Sequence, residues 1–227
     1  MIFVGEGSLL WRAVQHTLDS NLPVDMVCSP AGAEPAARPN IPFRAVTDIN
    51  AIAAELTTAG TDGVVWSLNN RMIFRAPMLS AGLRILNIHH GPLPAYRGMP
   101  EVALVYAMLR GEREYAATLH QVDEGIDTGP TLASETYPIV PDEPYHVVLR
   151  RGLRVCHELF VRSLPLVDAD PAWAGEPTLP SHNQGAGYYG RKALALLPGQ
   201  RDHPDFARAT DLGFLAGYLP DLAAALR

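Results

Sequence analysis

RILNIHHGPLPAYRG, residues 84–98, changes character in its middle. Its first half is dominated by aliphatic side chains and reads as a strand buried on both faces of a sheet. Asn87 and His89 then interrupt the run, and Gly91, Pro92 and Pro94 prevent it from continuing as strand or helix. Open α/β sheets bind their ligands beyond the carboxyl ends of their strands, which is where this polar break falls. With a side-chain period of two, Asn87 and His89 point to the same side.

The pattern on either side supports a sheet of this kind. Residues 2–4 form a short apolar strand, broken by GEGS (5–8). LLWRAVQHTLDSN (9–21) sets Leu10, Val14 and Leu18 at helical spacing, and PVDMVCS (23–29) reads as a second strand. That βαβ unit predicts parallel pairing with a right-handed crossover. SPAGAEPAARPNIP (29–42) reads as loop. A strand near 43–46 and a helix near 49–56 follow, then the wholly buried strand GVVWSL (63–68) and a short helix near 76–81.

Downstream of residue 98, MPEVALVYAMLRG (99–111) carries Pro near its start and Gly at its end, the usual helix asymmetry. YAATLHQV (115–122) and PTLASETYPI (130–139) alternate around the turn DEGIDTG (123–129), which predicts an antiparallel edge hairpin. Residues 141–167 read as a long helix with Tyr145, Leu149, Leu153, Cys156 and Phe160 on one face and Asp142 near its N-cap. From Asp168 onward Pro and Gly are dense, with a last helix near 221–226. The predicted fold is α/β: a mostly parallel sheet with helices on both faces, an antiparallel edge hairpin and a small C-terminal tail. The expected division is a catalytic domain over 1–168 and a small extension over 169–227.

Composition narrows the partners. The chain has 227 residues, 48% hydrophobic and 19% charged, with a formal net charge of -6. Lys192 is its only lysine, and no basic stripe is present, so nucleic acid is not an expected partner. No apolar run approaches the ~20 residues of a membrane span. Cys28 and Cys156 lie far apart and outside any metal-ligand spacing, so neither a disulfide nor a metal site is expected, and Cys156 reads as a buried thiol. MIFVGEGSLLW lacks a basic leader and reads as a first strand, consistent with a reducing cytoplasm. Oligomeric state is silent in the sequence.

N-I-H-x-G-P-L-P-A-Y-R-G (87–98), followed by V-D-E-G-I-D-T-G-P (122–130), resembles the folate-dependent formyltransferase family. Members of that family act on glycinamide ribonucleotide, methionyl-tRNA, amino sugars, and peptide and siderophore precursors. The resemblance covers about residues 60–165 well and the first βαβ unit more loosely. It implies a Rossmann-like fold, 10-formyltetrahydrofolate as formyl donor and an amine as acceptor. The implied catalytic residues are Asn87, His89 and Asp127. The segments Asn70, Arg71, Met72, Ile73 and Gly91, Pro92, Leu93, Pro94 match stretches that flank the folate. Glu124, Gly125 and Ile126 match the turn whose backbone meets the pterin ring.

Elementary chemistry agrees with that trio. An amine attacking a formamide carbon builds negative charge on oxygen and must lose a proton. An Asn amide and an imidazole are suitable donors to that oxygen, and a carboxylate beside the His orients its ring and raises its pKa. No G-x-S-x-G elbow is present, so direct transfer is expected. Read singly, an Asn-x-His after a strand is a capped loop, a D-x-G is a turn and Arg71 is a surface residue; only their joint order argues for catalysis.

Three features depart from the family pattern. Glu6 within GEGS would repel a phosphate, which argues against glycinamide ribonucleotide; otherwise GEGS either binds a phosphate or simply turns the chain. His90 stands where the family often has Pro or a small residue, and either contacts the acceptor or faces solvent. The long extension of the tRNA-specific members has no counterpart, which argues against tRNA. SHNQGAGYYGRK (181–192) reads either as a lid over the acceptor or as a surface hairpin. The expected function is formyl transfer from 10-formyltetrahydrofolate to a small or carrier-tethered amine, in secondary metabolism. The alternatives are a 10-formyltetrahydrofolate hydrolase and a non-catalytic folate-binding module.

Overall fold

A computed structural model describes residues 1–31, 41–176 and 185–227. Among them the strands are β1 (Ile2–Gly5), β2 (Met26–Ser29), β3 (Phe43–Ala45), β4 (Val64–Leu68), β5 (Arg84–His89), β6 (Arg97–Gly98), β7 (Glu114–Gln121), β8 (Thr131–Pro138) and β9 (Tyr188–Tyr189). The α-helices are α1 (Gly7–Asp19), α2 (Ala53–Ala59), α3 (Ala76–Leu79), α4 (Pro100–Leu109), α5 (Tyr145–Ala169), α6 (Arg191–Leu196), α7 (Phe206–Ala209) and α8 (Pro220–Ala225).

Seven strands make one sheet in the order β3-β2-β1-β4-β5-β7-β8. The pairs from β3 through β5 are all parallel. Gln121 donates to Pro130, Ser134 to Ala117 and Ile139 to Arg113, so β7 and β8 run antiparallel. The predicted mostly parallel sheet with an antiparallel edge is therefore what forms. β6 and β9 make a separate two-stranded parallel ribbon.

Of the described residues, those within 1–89, 119–133 and 157–176 form one compact unit, and those within 90–118, 134–156 and 185–227 a second. In the first unit, the register pairs Ile2 with Val65 and Phe3 with Trp66. Ile2, Val4 and Val65 pack in one cluster with Ile49, Leu56, Met78 and Ile85. Phe3 and Trp66 face the other way, onto Phe160 of α5, with ring centroids 6.1 and 4.9 Å away. Apolar contacts on both faces are the reason these strands carry no polar alternation.

The helix expected at 49–56 is divided. Residues Ile49–Ile52 form a 3-10 turn, because Asp48 accepts hydrogen bonds from the backbone and the side chain of Asn50 at 3.0 and 2.7 Å. α1 begins at Gly7, inside GEGS, two residues earlier than its apolar spacing indicated. On α5, Tyr145, Leu149, Cys156 and Phe160 are buried as expected, whereas Leu153 is only half-buried. Asp142 lies ahead of the helix in a left-handed turn, with φ +68°. Both thiols are reduced and buried, and burial pushes each up to about 12. The tail contains β9 and α6 to α8. Most of these elements are too short for periodicity to reveal, and only the last helix was legible. Residues 32–40, in the loop read at 29–42, and residues 181–184, in the segment read as lid or hairpin, lie outside the described residues. Among the described residues no helix is long and apolar enough to cross a membrane.

Arg84 ties β5 to the chain that follows α5. Its guanidinium donates to Pro171 O at 2.5 Å and Trp173 O at 2.6 Å, and more weakly to Gln121 Oε1 at 3.4 Å. Burial lowers its pKa, and the nearby Asp170 charge works in the opposite direction. Arg84→Met keeps the aliphatic stem but removes all three donors. It is expected to cost about 2 kcal/mol, seen as a lower urea midpoint with an unchanged slope.

Candidate active site

The end of β5 and the chain leaving β7 bring four polar side chains of the first unit together. Asn87 and His89 leave β5 on one side, as their spacing requires. His89 is 4% exposed, and its Nδ1 lies 3.5 Å from Asp127 Oδ2. His120, near the end of β7, places Nε2 at 3.5 Å from Asp127 Oδ1 and 3.0 Å from Asn87 Nδ2. One carboxylate thus faces two imidazoles, one with each oxygen.

The hydrogen-bond pattern assigns roles within this group. His120 Nδ1 lies 3.1 Å from the carbonyl oxygen of Gln121, which can only accept, so Nδ1 carries a proton. In the neutral ring Nε2 then accepts from the Asn87 amide. That contact uses one of the two amide hydrogens and leaves the other to be offered elsewhere.

The turn that delivers Asp127 is held by its own residues. Asp123 Oδ1 accepts from Gly125 N at 3.1 Å and from Thr128 Oγ1 at 2.6 Å. Val122 N donates to Ile85 O at 2.8 Å, pinning the start of the turn to β5. Asp127 itself has φ +52°, a left-handed conformation that Asp and Asn tolerate better than other side chains with a Cβ. Its carboxylate is aimed inward, while Glu124, Gly125 and Ile126 form the exposed crest of the turn.

The remaining predicted site residues fall in two places. Asn70 knits its own loop, accepting from Met72 N at 2.9 Å and donating to Met72 O at 3.0 Å and Ser67 Oγ at 3.3 Å. Met72 packs on the core of the first unit, while Ile73 is 52% exposed. Arg71 is exposed, and its Nε pairs with Glu6 Oε1 at 3.1 Å. Glu6 of GEGS therefore faces a guanidinium. Gly91, Pro92, Leu93 and Pro94 belong to the second unit. There Gly91 O accepts from Thr118 Oγ1 at 2.8 Å, Pro92 O from Tyr96 N at 3.0 Å and Pro94 O from Gly187 N at 3.1 Å, and the Leu93–Pro94 peptide is cis.

His90 does not face solvent. It is buried, its Nε2 is hydrogen-bonded to the Tyr137 hydroxyl, and its ring stacks on Tyr137 and meets Tyr115 edge-on. Gly152 of α5 leaves the room: a Cβ there would overlap His90 Nε2 and the Tyr137 hydroxyl. The relevant signal, a glycine amid a long amphipathic helix, lies 62 residues from the histidine it accommodates.

Two residues of the first unit escaped the sequence reading. His120 is one; its only signal was an imidazole at the end of an alternating strand, just before an acidic turn. Asn50 is the other. It donates to Ile73 O at 2.9 Å and accepts from Arg75 N at 2.7 Å, clamping the chain after Asn70.

The amide, imidazole and carboxylate groups thus lie at the carboxyl edge of the parallel strands, where open α/β sheets bind ligands. Residues 2–164 match the family model described as Formyl transferase, and the chain belongs to that family. It is 30% identical over 118 residues to a methionyl-tRNA formyltransferase of Anaeromyxobacter dehalogenans, a stretch that makes up 52% of this chain and 37% of that protein. The chain thus spans well under half the length of that curated relative. Its fold is similar to a sugar N-formyltransferase from a Shewanella species, with a TM-score of 0.73, 22% identity, and coverage of 94% of this chain and 88% of that one. It is similar also to an N-formyltransferase from Helicobacter canadensis in complex with folinic acid and dTDP-3-aminofucose, with a TM-score of 0.65, 20% identity, and coverage of 85% and 71%.

Proposed function

We propose that this chain is an N-formyltransferase, moving a formyl group from 10-formyltetrahydrofolate to the amine of a small or carrier-bound metabolite, in secondary metabolism. The observation that carries the reading is the convergence of Asn87, His89 and Asp127, with His120 between them. Membership of the formyl transferase family and the folinic acid held by the Helicobacter canadensis relative support the folate donor.

When bound, the donor supplies a formyl carbon already attached to a leaving nitrogen. The residues do the rest. Asn87 offers its second amide hydrogen, and His89 its imidazole, to the formyl oxygen as negative charge grows there. Asp127 fixes the His89 ring through Nδ1 and balances positive charge on it when a proton moves from the attacking amine toward the departing nitrogen. His120 accepts from the Asn87 amide through Nε2 and so holds that amide in a single orientation. Asn70 to Ile73, Gly91 to Pro94 and Glu124 to Ile126 are the segments assigned to the folate.

The test is the stoichiometry of turnover. Tetrahydrofolate release should require a suitable amine and equal the formylated amine produced. Formate release at one rate with or without amines would identify a hydrolase instead. Tight folate binding without turnover across a broad amine panel would identify a binding module.

A further inference from the structure

The segment assigned to the folate, Asn70 to Ile73, joins β4 to α3 in the first unit and belongs to no helix or strand. Its upstream end is tied to the turn after β1. Asn69 Nδ2 donates to Glu6 O at 3.1 Å, and Arg71 pairs with the Glu6 carboxylate. Its downstream end is tied to a different element. Asn50, in the 3-10 turn Ile49–Ile52, is buried, and its side-chain amide meets the backbone on both sides of Phe74. Nδ2 donates to Ile73 O at 2.9 Å, and Oδ1 accepts from Arg75 N at 2.7 Å. In extended chain such a carbonyl and N–H point to the same side, so one amide takes the place of a neighbouring strand. Phe74, between them, is buried in the cluster that holds Ile49 and Met78, and Ile73 is turned outward.

The Asn50 amide has one orientation available. Asp48 Oδ1 accepts from Asn50 N at 3.0 Å and from Asn50 Nδ2 at 2.7 Å. Turned over, the amide would set its NH2 against the Arg75 N–H and its oxygen against both Ile73 O and the Asp48 carboxylate. The base beneath it is fixed, because Ile49 is wholly buried. Asp48 thus aims Asn50, and Asn50 fixes the chain at Ile73 and Arg75. An apolar side chain in its place would strand Ile73 O and Arg75 N.

We propose that Asn50, aimed by Asp48, is a positioning residue for the formyl donor. It acts through the chain it holds. By fixing the backbone at Ile73 and Arg75 it sets the outward direction of Ile73 and the path of Asn70 to Met72, so the surface that meets the folate exists before the folate arrives. A preformed surface removes the ordering of a loop from the binding step and so raises affinity. This role rests on the N-formyltransferase reading, through the assignment of residues 70–73 to the donor. It falls on donor binding and not on the chemical step, since none of the Asn50 hydrogen bonds goes to Asn87, His89, His120 or Asp127.

The experiment is calorimetric titration of the full chain with folinic acid, alongside steady-state turnover of 10-formyltetrahydrofolate with the amine that supports it. The variants are Asn50→Asp, Asp48→Ala and Asp48→Asn. Asn50→Asp keeps the shape and the acceptor for Arg75 N, but sets an oxygen against Ile73 O and Asp48. It should raise the folinic acid Kd and the KM for 10-formyltetrahydrofolate about tenfold, with kcat and the acceptor KM within about twofold of the wild type. Asp48→Ala should weaken folinic acid about threefold, and Asp48→Asn, which keeps an acceptor for Asn50, should bind it as the wild type does. A merely structural role would lower the urea midpoint and the folded fraction, and leave the Kd of the folded protein unmoved. Folinic acid binding within about twofold of the wild type in both Asn50→Asp and Asp48→Ala overturns the proposal, as does a fall in kcat at unchanged donor KM. Should Asn50→Asp not fold, the exposed Asp48→Ala set against Asp48→Asn decides alone. Wild-type protein that binds no folinic acid overturns the donor assignment and this role with it. Weakened binding in the variants of a protein that formylates no amine sinks the enzymatic reading and leaves Asn50 in its role.

Discussion

Replacing His89 by Ala is expected to lower formyl transfer about a thousandfold while leaving folate binding intact. The imidazole is assigned both a charge-stabilising and a proton-handling part, and loss of either alone typically costs a hundredfold or more. Because Nδ1 faces Asp127, the substitution also strips the carboxylate of one of its two rings. Asp127→Asn is the informative companion. It keeps the shape of the side chain and the turn, where an amide also tolerates φ +52°. It removes the charge that both imidazoles face, so kcat should fall about a hundredfold with little change in KM. Single-turnover rates with saturating 10-formyltetrahydrofolate, alongside titration of folinic acid, separate these effects. A His89→Ala enzyme within tenfold of the wild type would remove the proposed mechanism.

The second large effect concerns stability. Gly152→Ala in α5 is expected to destabilise the fold by about 2–3 kcal/mol, although alanine is the better helix former by about 1 kcal/mol. The added Cβ would overlap His90 Nε2 and the Tyr137 hydroxyl and lie 2.7 Å from His90 Cδ2. One of the two rings must move. Overpacking of this kind costs about 1–3 kcal/mol, and breaking the buried His90–Tyr137 hydrogen bond strands two polar groups for a similar amount. Urea unfolding measures the loss. Adding His90→Ala to Gly152→Ala vacates the contested space, so the double variant should be more stable than the sum of the two single losses allows. Strict additivity would mean that the two sites do not contend.

Much of this was readable in the residues. The strands of the parallel sheet announce themselves because burial on both faces favours nearly continuous apolar runs, as in VVWSL of β4. Asn87, His89 and Asp127 were singled out by their places at the end of β5 and in the turn after β7 and by the family resemblance, and the structure brings them around His120. His120 was missed for the opposite reason: one imidazole in an alternating strand looks like any cross-strand residue until its neighbours are known. The burial of His90 was not legible because its environment comes from Tyr137 and Gly152, far along the chain, and local polarity says nothing of such a partner. The tail resisted for a physical reason. A two-residue strand has no period, and β9 exists only because β6 is there to pair with it.

The ribbon also has a bearing on how the protein comes into being. Arg97 N reaches Gly187 O and Met99 N reaches Tyr189 O, contacts that span some ninety residues of chain. During synthesis the segment after Pro94 emerges from the ribosome long before its partner has been translated. Tyr96 and its neighbours therefore wait, aromatic and uncovered, for a late-arriving strand. For a growing chain, that interval is its most adhesive stage.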